Sequence, residues 1–252
     1  MGALRGERIE GQGVDEAQWA ASRQLAALKS VAPDALLGDA TRLVVVAPHP
    51  DDEVLGCGGL MALAQQAGLH VLVISVTDGE AAYPTETAWP PERLARVRRA
   101  ELINALAALG IAEGNIERLD AGDGEVGEQT SEVATRLAQI FAPSDLVLVT
   151  YSRDGHPDHE ACADAAADAA SRCEARLVQY PVWAWHWDDP ENSSFLDAAV
   201  RLPLPEATHQ AKSKAIKAFE SQTGHISPAP SAPILPPWAL ARFQRPFEVF
   251  IL

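Results

Sequence analysis

The 252-residue chain has little positive charge, few cysteines and no long hydrophobic run. Its 20 Lys and Arg residues face 35 Asp and Glu residues, which gives a formal net charge of −15. A surface of this sign repels a phosphate backbone and lacks the basic stripe that nucleic-acid binding requires. The composition therefore argues against DNA and RNA as partners.

The three cysteines form no paired motif; they are Cys57, Cys162 and Cys173. Such spacing predicts a reducing compartment and argues against a cysteine-rich zinc site. No apolar run approaches the ~18 residues that span a bilayer. The first 25 residues also lack the apolar core of a signal peptide. We therefore expect a cytoplasmic protein without a membrane span.

The composition is that of a globular protein, with 47% hydrophobic and 22% charged residues, and the length suits one domain. We predict a single domain over residues 1–252. Residues 1–40 are expected to be an N-terminal extension packed on the outside, with one helix from Val14 to Leu28. Residues 181–252, rich in Trp and Pro, are expected to hold a helix near Glu206 to Ser221 and to complete a cleft.

From Arg42 onward, short β-branched runs alternate with Ala- and Leu-rich helical stretches, as in parallel strands joined by crossover helices. Strands are predicted over Leu43–Ala47, Val71–Thr77, Ile116–Leu119, Leu146–Thr150 and Leu177–Tyr180. Helices are predicted over Leu60–Gln66, Pro91–Leu109, Glu128–Phe141 and Asp158–Ser171. Unbroken apolar runs in the second and fourth strands indicate that both of their faces are covered. The pattern predicts a three-layer α/β/α fold with a mostly parallel sheet.

Metal-ligating side chains follow two of the predicted strands, where ligands bind in open parallel sheets. Residues 48–53 read Pro-His-Pro-Asp-Asp-Glu, and residues 151–159 end in His-Pro-Asp-His. His49 and Asp52, three apart in a tight turn, can share one ion with His159. A His₂Asp set with an open position for water is typical of catalytic zinc, and iron(II) suits the same ligands.

The remaining polar groups of these segments suggest catalytic roles. Asp51 cannot easily point the same way as its neighbour, so we expect it to take the proton from the water. His156 is expected to stabilise an oxyanion or to protonate a leaving amine. Asp158 or Asp154 is expected to orient that imidazole. Glu53 is expected to support the turn or a ligand histidine at the substrate side of the site.

Pro-His-Pro-Asp-Asp-Glu, the following Gly56–Gly59 run and the later His-Pro-Asp-His resemble the LmbE-like or PIG-L family of zinc-dependent de-N-acetylases. Pro48 replaces the usual Ala of the first motif. Thr77–Glu80 resembles a further family segment, and Arg98 with Glu101 resembles the Arg-x-x-Glu helix of the family. The resemblance covers roughly 42–170, with a weaker echo at 217–222.

The resemblance implies a Rossmann-like fold and hydrolysis of an N-acyl group, usually N-acetyl on an amino sugar or glycoconjugate. It implies zinc on His49, Asp52 and His159, with Asp51 as general base and His156 as the acid or electrophilic group. It also implies that Arg98 contacts substrate. Some members place a tyrosine before His-Pro-Asp-His, where this chain has Arg153 and Asp154. The family includes oligomers of several sizes, which leaves a homo-oligomer open.

Two other functions fit parts of the pattern. Residues 154–159 are one residue away from the His-x-His-x-Asp-His motif of metallo-β-lactamase-like hydrolases, but Asp154 replaces a histidine and His49 stays unexplained. Gly56-Cys57-Gly58 after a strand suggests a non-catalytic nucleotide- or sugar-binding module. The third glycine of that fingerprint falls at Met61, which counts against a nucleotide site.

Overall fold

A computed structural model describes residues 11–252 and contains an eight-stranded sheet. The strands are β1 (Lys29–Ser30), β2 (Arg42–Ala47), β3 (His70–Ser75), β4 (Ile116–Arg118), β5 (Asp145–Thr150), β6 (Arg176–Tyr180), β7 (Ala199–Pro203) and β8 (Phe247–Ile251). Their order across the sheet is β1-β7-β8-β6-β5-β2-β3-β4. Only β8 runs antiparallel to its neighbours within this described sheet. The fold is the α/β class that the sequence predicts.

Helices cover both faces of the sheet. The longer ones are α4 (Asp52–Gln66), α5 (Pro91–Ala108), α6 (Val126–Ile140), α7 (Pro157–Cys173) and α9 (Glu206–Ile216), and the shorter ones are α1 (Glu16–Ala21), α2 (Arg23–Ala26), α3 (Pro33–Leu37), α8 (Ala184–Trp187), α10 (Glu220–Thr223) and α11 (Pro237–Leu240). Side chains of β2 alternate between two cores. Leu43 and Val45 join the core that holds α4 and α5, and Val44 and Val46 join the core that holds α6 and α7. This two-sided burial explains the unbroken apolar runs of the central strands.

The predicted strands match β2 to β6 with end shifts of one or two residues. The predicted helix Leu60–Gln66 is wrong at its start, because α4 begins at Asp52. The backbone leaves helical geometry only at Cys57, and the Glu248 carboxylate accepts the N–H groups of Gly59 and Leu60 beyond that break. The second half of the helix is therefore capped from β8.

The terminal regions contribute more than we expected. The predicted helix Val14–Leu28 is broken at Ser22, which ends α1 and caps α2. Residues 11–40 of the expected N-terminal extension contribute to the core and to the sheet, since Trp19 is fully buried and β1 pairs with β7. Residues 1–10 of that extension lie outside the described residues.

The C-terminal part supplies β7 and β8, which the sequence pattern did not predict. Because β2 and β5 are parallel neighbours, the loops after Ala47 and Thr150 leave the sheet at the same edge. Both motif segments therefore meet there. Within residues 11–252, the structure has no helix long and apolar enough to cross a membrane.

Candidate active site

The turn after β2 brings two carboxylates to the carboxyl edge of the sheet. Asp51 immediately precedes α4 and has φ 141°, a backbone conformation that costs a non-glycine residue about 1–3 kcal/mol. Its N–H donates to Glu53 at 3.1 Å, and the Thr77 hydroxyl donates to the carbonyl of Pro48 at 2.8 Å. These contacts fix the turn, so that Asp51 and Asp52 point in different directions, as the sequence predicts.

Three potential ligand atoms converge beside this turn. Asp52 Oδ2 lies 3.2 Å from His49 Nδ1 and 3.2 Å from His159 Nε2, and the two nitrogens are 3.3 Å apart. All three side chains are buried. Although burial opposes it, the neighbouring His159 and His49 hold the pKa of Asp52 well below its usual range. The sequence-predicted His₂Asp set is thus assembled with Asp52 as an anion.

The opposite nitrogens of both histidines face carboxylates. His49 Nε2 lies 3.1 Å from Asp123 Oδ1 and 3.2 Å from Asp158 Oδ2. His159 Nδ1 lies 2.7 Å from Asp154 Oδ2. A proton on each of these outer nitrogens leaves the inner nitrogen free to coordinate, which is the usual arrangement around metal-ligating histidines.

This group fits a metal ion. Zinc bonds of about 2.0–2.1 Å in tetrahedral geometry place ligand atoms roughly 3.3 Å apart, which the three observed separations match. A second set, His49, His156 and Asp158, also lies within 4.8 Å. The first set fits better because both of its histidines have an outer nitrogen held by a buried carboxylate. The structure therefore supports a metal cofactor at His49, Asp52 and His159.

Asp51 lies beside the ligand group without belonging to it. Its carboxylate is 3.2 Å from Arg98 Nη2. Burial, partly offset by Arg98, raises the pKa of Asp51 to about 7. A carboxylate with this pKa exchanges protons near neutral pH, as a general base must.

His156 faces the same space with a neutral ring. Its ring centroid is 4.8 Å from that of His49, and its Nδ1 accepts the backbone N–H of Asp158 at 3.2 Å. Burial and the neighbouring His159 and His49 lower the pKa of His156 to about 3. The single ring proton therefore sits on Nε2. We expected Asp158 or Asp154 to orient this ring through its carboxylate, but those carboxylates face His49 and His159 instead.

These residues open into a cavity of about 630 Å³. Its lining includes His49, Asp51, Asp52 and His156, together with the buried Arg98. Arg98 donates to the carbonyls of Pro50 at 2.7 Å and Gly79 at 3.0 Å, so it also supports the turn. Glu53 is fully buried, and burial raises its pKa to about 8. Its carboxylate accepts the N–H of Asp51 and so supports the turn. The expectation that Glu53 also binds substrate is not met, because it is not among the described residues that line the cavity.

Sequence reasoning missed one residue of this site, Asp123, and the partner of Glu101. Asp123, in a Gly-flanked loop after β4, contacts His49 and lines the cavity. The two glycines that flank Asp123 after a predicted strand are the sequence signal that could have pointed to this loop. Glu101 accepts the N–H and hydroxyl of Ser221, both at 2.7 Å, and so ties α5 to the segment that leads into the C-terminal wall. The C-terminal part, which the sequence led us to expect at a cleft, lines the cavity through residues 232–236 and Trp238, and Trp183 lies with them.

The glycines after the first motif serve packing within α4. A Cβ at Gly56 would lie 2.1 Å from the Tyr180 ring. The N–H groups at the helix break are already occupied by Glu248. These contacts argue against the nucleotide-binding alternative, which needs free N–H groups for phosphate. Asp154 accepts three backbone N–H groups and contacts His159, so it does not take the metal-ligand position that a metallo-β-lactamase motif requires.

The fold and the ligand group define an α/β protein with a metal centre at the carboxyl edge of a parallel sheet. Residues 44–170 match the family described as PIG-L, GlcNAc-PI de-N-acetylase, and the chain belongs to this family.

The chain is 30% identical over 218 residues to the 1D-myo-inositol 2-acetamido-2-deoxy-alpha-D-glucopyranoside deacetylase 1 of Catenulispora acidiphila, covering 75% of this chain and 64% of that protein. The match thus spans less than two thirds of that relative. The crystal structure of the A40926 pseudoaglycone deacetylase Dbv21 is 27% identical, with a TM-score of 0.56 over 72% of this chain and 82% of the other. N,N'-diacetylchitobiose deacetylase from Pyrococcus horikoshii shares the fold, with 20% identity, a TM-score of 0.57 and coverage of 71% and 70%.

Proposed function

We propose that the protein is a metal-dependent hydrolase that removes an N-acetyl or other N-acyl group from an amino sugar or glycoconjugate. The observation that carries the proposal is the convergence of His49 Nδ1, Asp52 Oδ2 and His159 Nε2 within 3.3 Å of one another, beside Asp51. The names of the relatives, which describe deacetylases of N-acetylated sugars, support the substrate class.

Zinc is the metal that we propose, held by His49, Asp52 and His159. Two imidazoles and one carboxylate suit zinc, and iron(II) suits them as well. When bound, such an ion lowers the pKa of a water molecule and polarises an acyl carbonyl. Asp154 and Asp158 keep the outer nitrogens of the two histidines protonated, so that the ligand nitrogens stay free.

Asp51 accepts the proton of the attacking water. Its pKa of about 7 allows it to be ionised before the attack and protonated after it. Arg98, 3.2 Å away, stabilises the ionised form. The water oxygen then bonds to the acyl carbon. The strained backbone at Asp51 holds the carboxylate toward the cavity rather than toward the ligand group.

His156 stabilises the negative charge that develops on the acyl oxygen. Its Nδ1 accepts a backbone N–H, so its Nε2–H is the donor that remains for the oxygen. When the C–N bond breaks, the proton held by Asp51 passes to the leaving amine. The products are a free amine and a carboxylate.

The test is amine release from a panel of N-acetylated amino sugars and their glycosides. We expect release by the zinc-loaded protein, loss on chelation and recovery when zinc returns. Asp51→Asn keeps the shape of the side chain. This variant should retain the metal, and its rate of amine release should be about 10²–10⁴-fold lower. Metal-independent release, or full activity in Asp51→Asn, would contradict the mechanism.

A further inference from the structure

The far wall of the cavity is apolar and comes from outside the matched family region. Residues 232–236 and Trp238 of the C-terminal segment, with Trp183 after β6, line the cavity and lie outside the matched residues 44–170. Ile234, Trp183 and Trp238 are partly exposed. Among the described residues, Leu252 is the only large hydrophobic side chain that is more exposed, at 65%. Partly exposed apolar side chains that face a cavity indicate a surface for an apolar ligand group.

This wall is held in a fixed shape. The segment is anchored where the Leu235 N–H donates to the carbonyl of Gln222 at 2.9 Å and where the Tyr83 hydroxyl donates to the carbonyl of Ser221 at 2.6 Å. Ile234 packs with Tyr83 in a small apolar cluster. The wall is therefore preformed in the described structure.

His186 links the two indoles. Its ring centroid lies 5.8 Å from that of Trp183 and 5.8 Å from that of Trp238. Arg242 donates to His186 Nδ1 at 3.1 Å and packs against Trp238, with its guanidinium carbon 5.2 Å from the ring centroid. The same guanidinium donates to the carbonyl of Val14, which ties the N-terminal region to the wall.

Among the described residues that line the cavity, no Lys or Arg is free to pair with an acidic group of a substrate. Arg98 is the only Lys or Arg among the described residues that line it. The two terminal nitrogens of Arg98 are engaged by the carbonyls of Gly79 and Pro50 and by Asp51, and its Nε is buried. Asp123 adds a negative charge to the lining. A carboxylate or phosphate on the substrate would thus be desolvated without a pairing partner.

We infer that the acylated amine belongs to an uncharged molecule with an apolar, ring-sized group that stacks against Trp183 and Trp238. The inference rests on the proposed function for the position of the amide. Indole faces favour flat ring partners, and the missing cation disfavours acidic substituents. The ring can stand on the aglycone or on the acyl group, and the experiment separates these two sources.

The experiment measures binding and turnover with four matched probes. They are the methyl, benzyl and 4-carboxybenzyl glycosides of N-acetylglucosamine, and the methyl glycoside of N-phenylacetylglucosamine. Binding is measured by calorimetry with the folded, metal-loaded Asp51→Asn variant. Turnover is measured as amine release by the unmodified protein. We expect at least one phenyl-bearing neutral probe to bind roughly tenfold or more tighter than the methyl N-acetyl probe, and the carboxylated probe to lose most of that gain.

Variants of Trp238 assign the effect to the wall. Trp238→Ala should reduce the ratio of phenyl-probe affinity to methyl-probe affinity, and Trp238→Phe, which keeps an aromatic face, should restore most of it. Equal binding of all neutral probes, or tighter binding of the carboxylated one, overturns the inference even if every probe is hydrolysed. Phenyl-selective binding without amine release from any probe supports the wall and counts against the proposed hydrolysis.

Discussion

The replacement Asp154→Asn should weaken metal binding with little change in side-chain volume. Asp154 is fully buried and accepts four hydrogen bonds, from His159 Nδ1 at 2.7 Å and from the N–H groups of Val182, Trp183 and Ala184. The asparagine oxygen can replace one carboxylate oxygen. Its NH₂ group must then stand at the position of Oδ2, where it faces the Trp183 N–H and His159.

The expected magnitude follows from the tautomer of His159. An NH₂ group facing Nδ1 favours a proton on Nε2, which is the nitrogen that must coordinate the metal. Loss of a partner of this kind costs about 10–100-fold in metal affinity, which corresponds to about 1.4–2.8 kcal/mol. The variant should also unfold more easily, because the Trp183 N–H loses its acceptor.

The assay is zinc affinity of the folded protein, measured by competition with a chromogenic chelator at a temperature well below unfolding. Asp164→Asn is the matched control, since Asp164 lies exposed on α7, the helix that carries His159. We expect the control to bind zinc as the unmodified protein does. Unchanged zinc affinity in Asp154→Asn would refute the role assigned to this carboxylate.

Three further predictions concern the base, the wall and the buried ion pair. Only ionised Asp51 accepts a proton, and its pKa is about 7, so kcat/KM should rise with pH until about pH 7. A bound metal ion lowers that pKa and moves the end of the rise to lower pH. The pH–rate profile of Asp51→Asn should lack the rise. Gly13→Ala should raise KM for phenyl-bearing substrates severalfold. Gly13 has φ +57°, and an added Cβ would lie 2.3 Å from the carbonyl oxygen of His186, the residue that packs between Trp183 and Trp238. Lys212→Met should lower the free energy of unfolding in urea by about 3–5 kcal/mol, because it leaves the buried Glu248 carboxylate without the ammonium now 2.7 Å away.

Each of these predictions has a control. Gly114→Ala places a Cβ in open space and should leave KM unchanged. Equal effects on KM at Gly13 and Gly114 would mean that the wall does not cause the change. Adding Glu248→Gln to Lys212→Met should recover part of the lost stability, and no recovery would mean that the charge is not the cause. An unaltered pH profile in Asp51→Asn would assign the ascending limb to another group.

The central part of the fold could be predicted from local pattern alone. Residues 43–47 and 146–150 are apolar at nearly every position, and the loop or helix start that follows each of them holds candidate metal ligands. Parallel strands bring such strand ends together, so the sequence is sufficient to group His49, Asp52 and His159. The ligand atoms of all three lie within 3.3 Å of one another in the structure.

The parts that were missed depend on contacts between distant residues. The start of α4 was misplaced because its stabilising cap, Glu248, is 188 residues from Leu60. The strands β7 and β8 are short and lie in a Pro-rich region, and they are held by pairing with each other and with the distant strands β1 and β6. Asp123 gives no ligand pattern of its own, and only the closed loop after β4 brings it to His49. Long-range pairing of this kind leaves little trace in local sequence.

The most direct test of the account is a zinc titration of metal-free protein with amine release as the readout, using the most reactive glycoside of the panel. Release should rise linearly with added zinc and reach its maximum at one equivalent per chain. His159→Ala should show no such rise, whereas His70→Ala, at an exposed position, should follow the unmodified protein. Amine release that is independent of zinc, or that persists in His159→Ala, would contradict the claim that His49, Asp52 and His159 hold the catalytic metal.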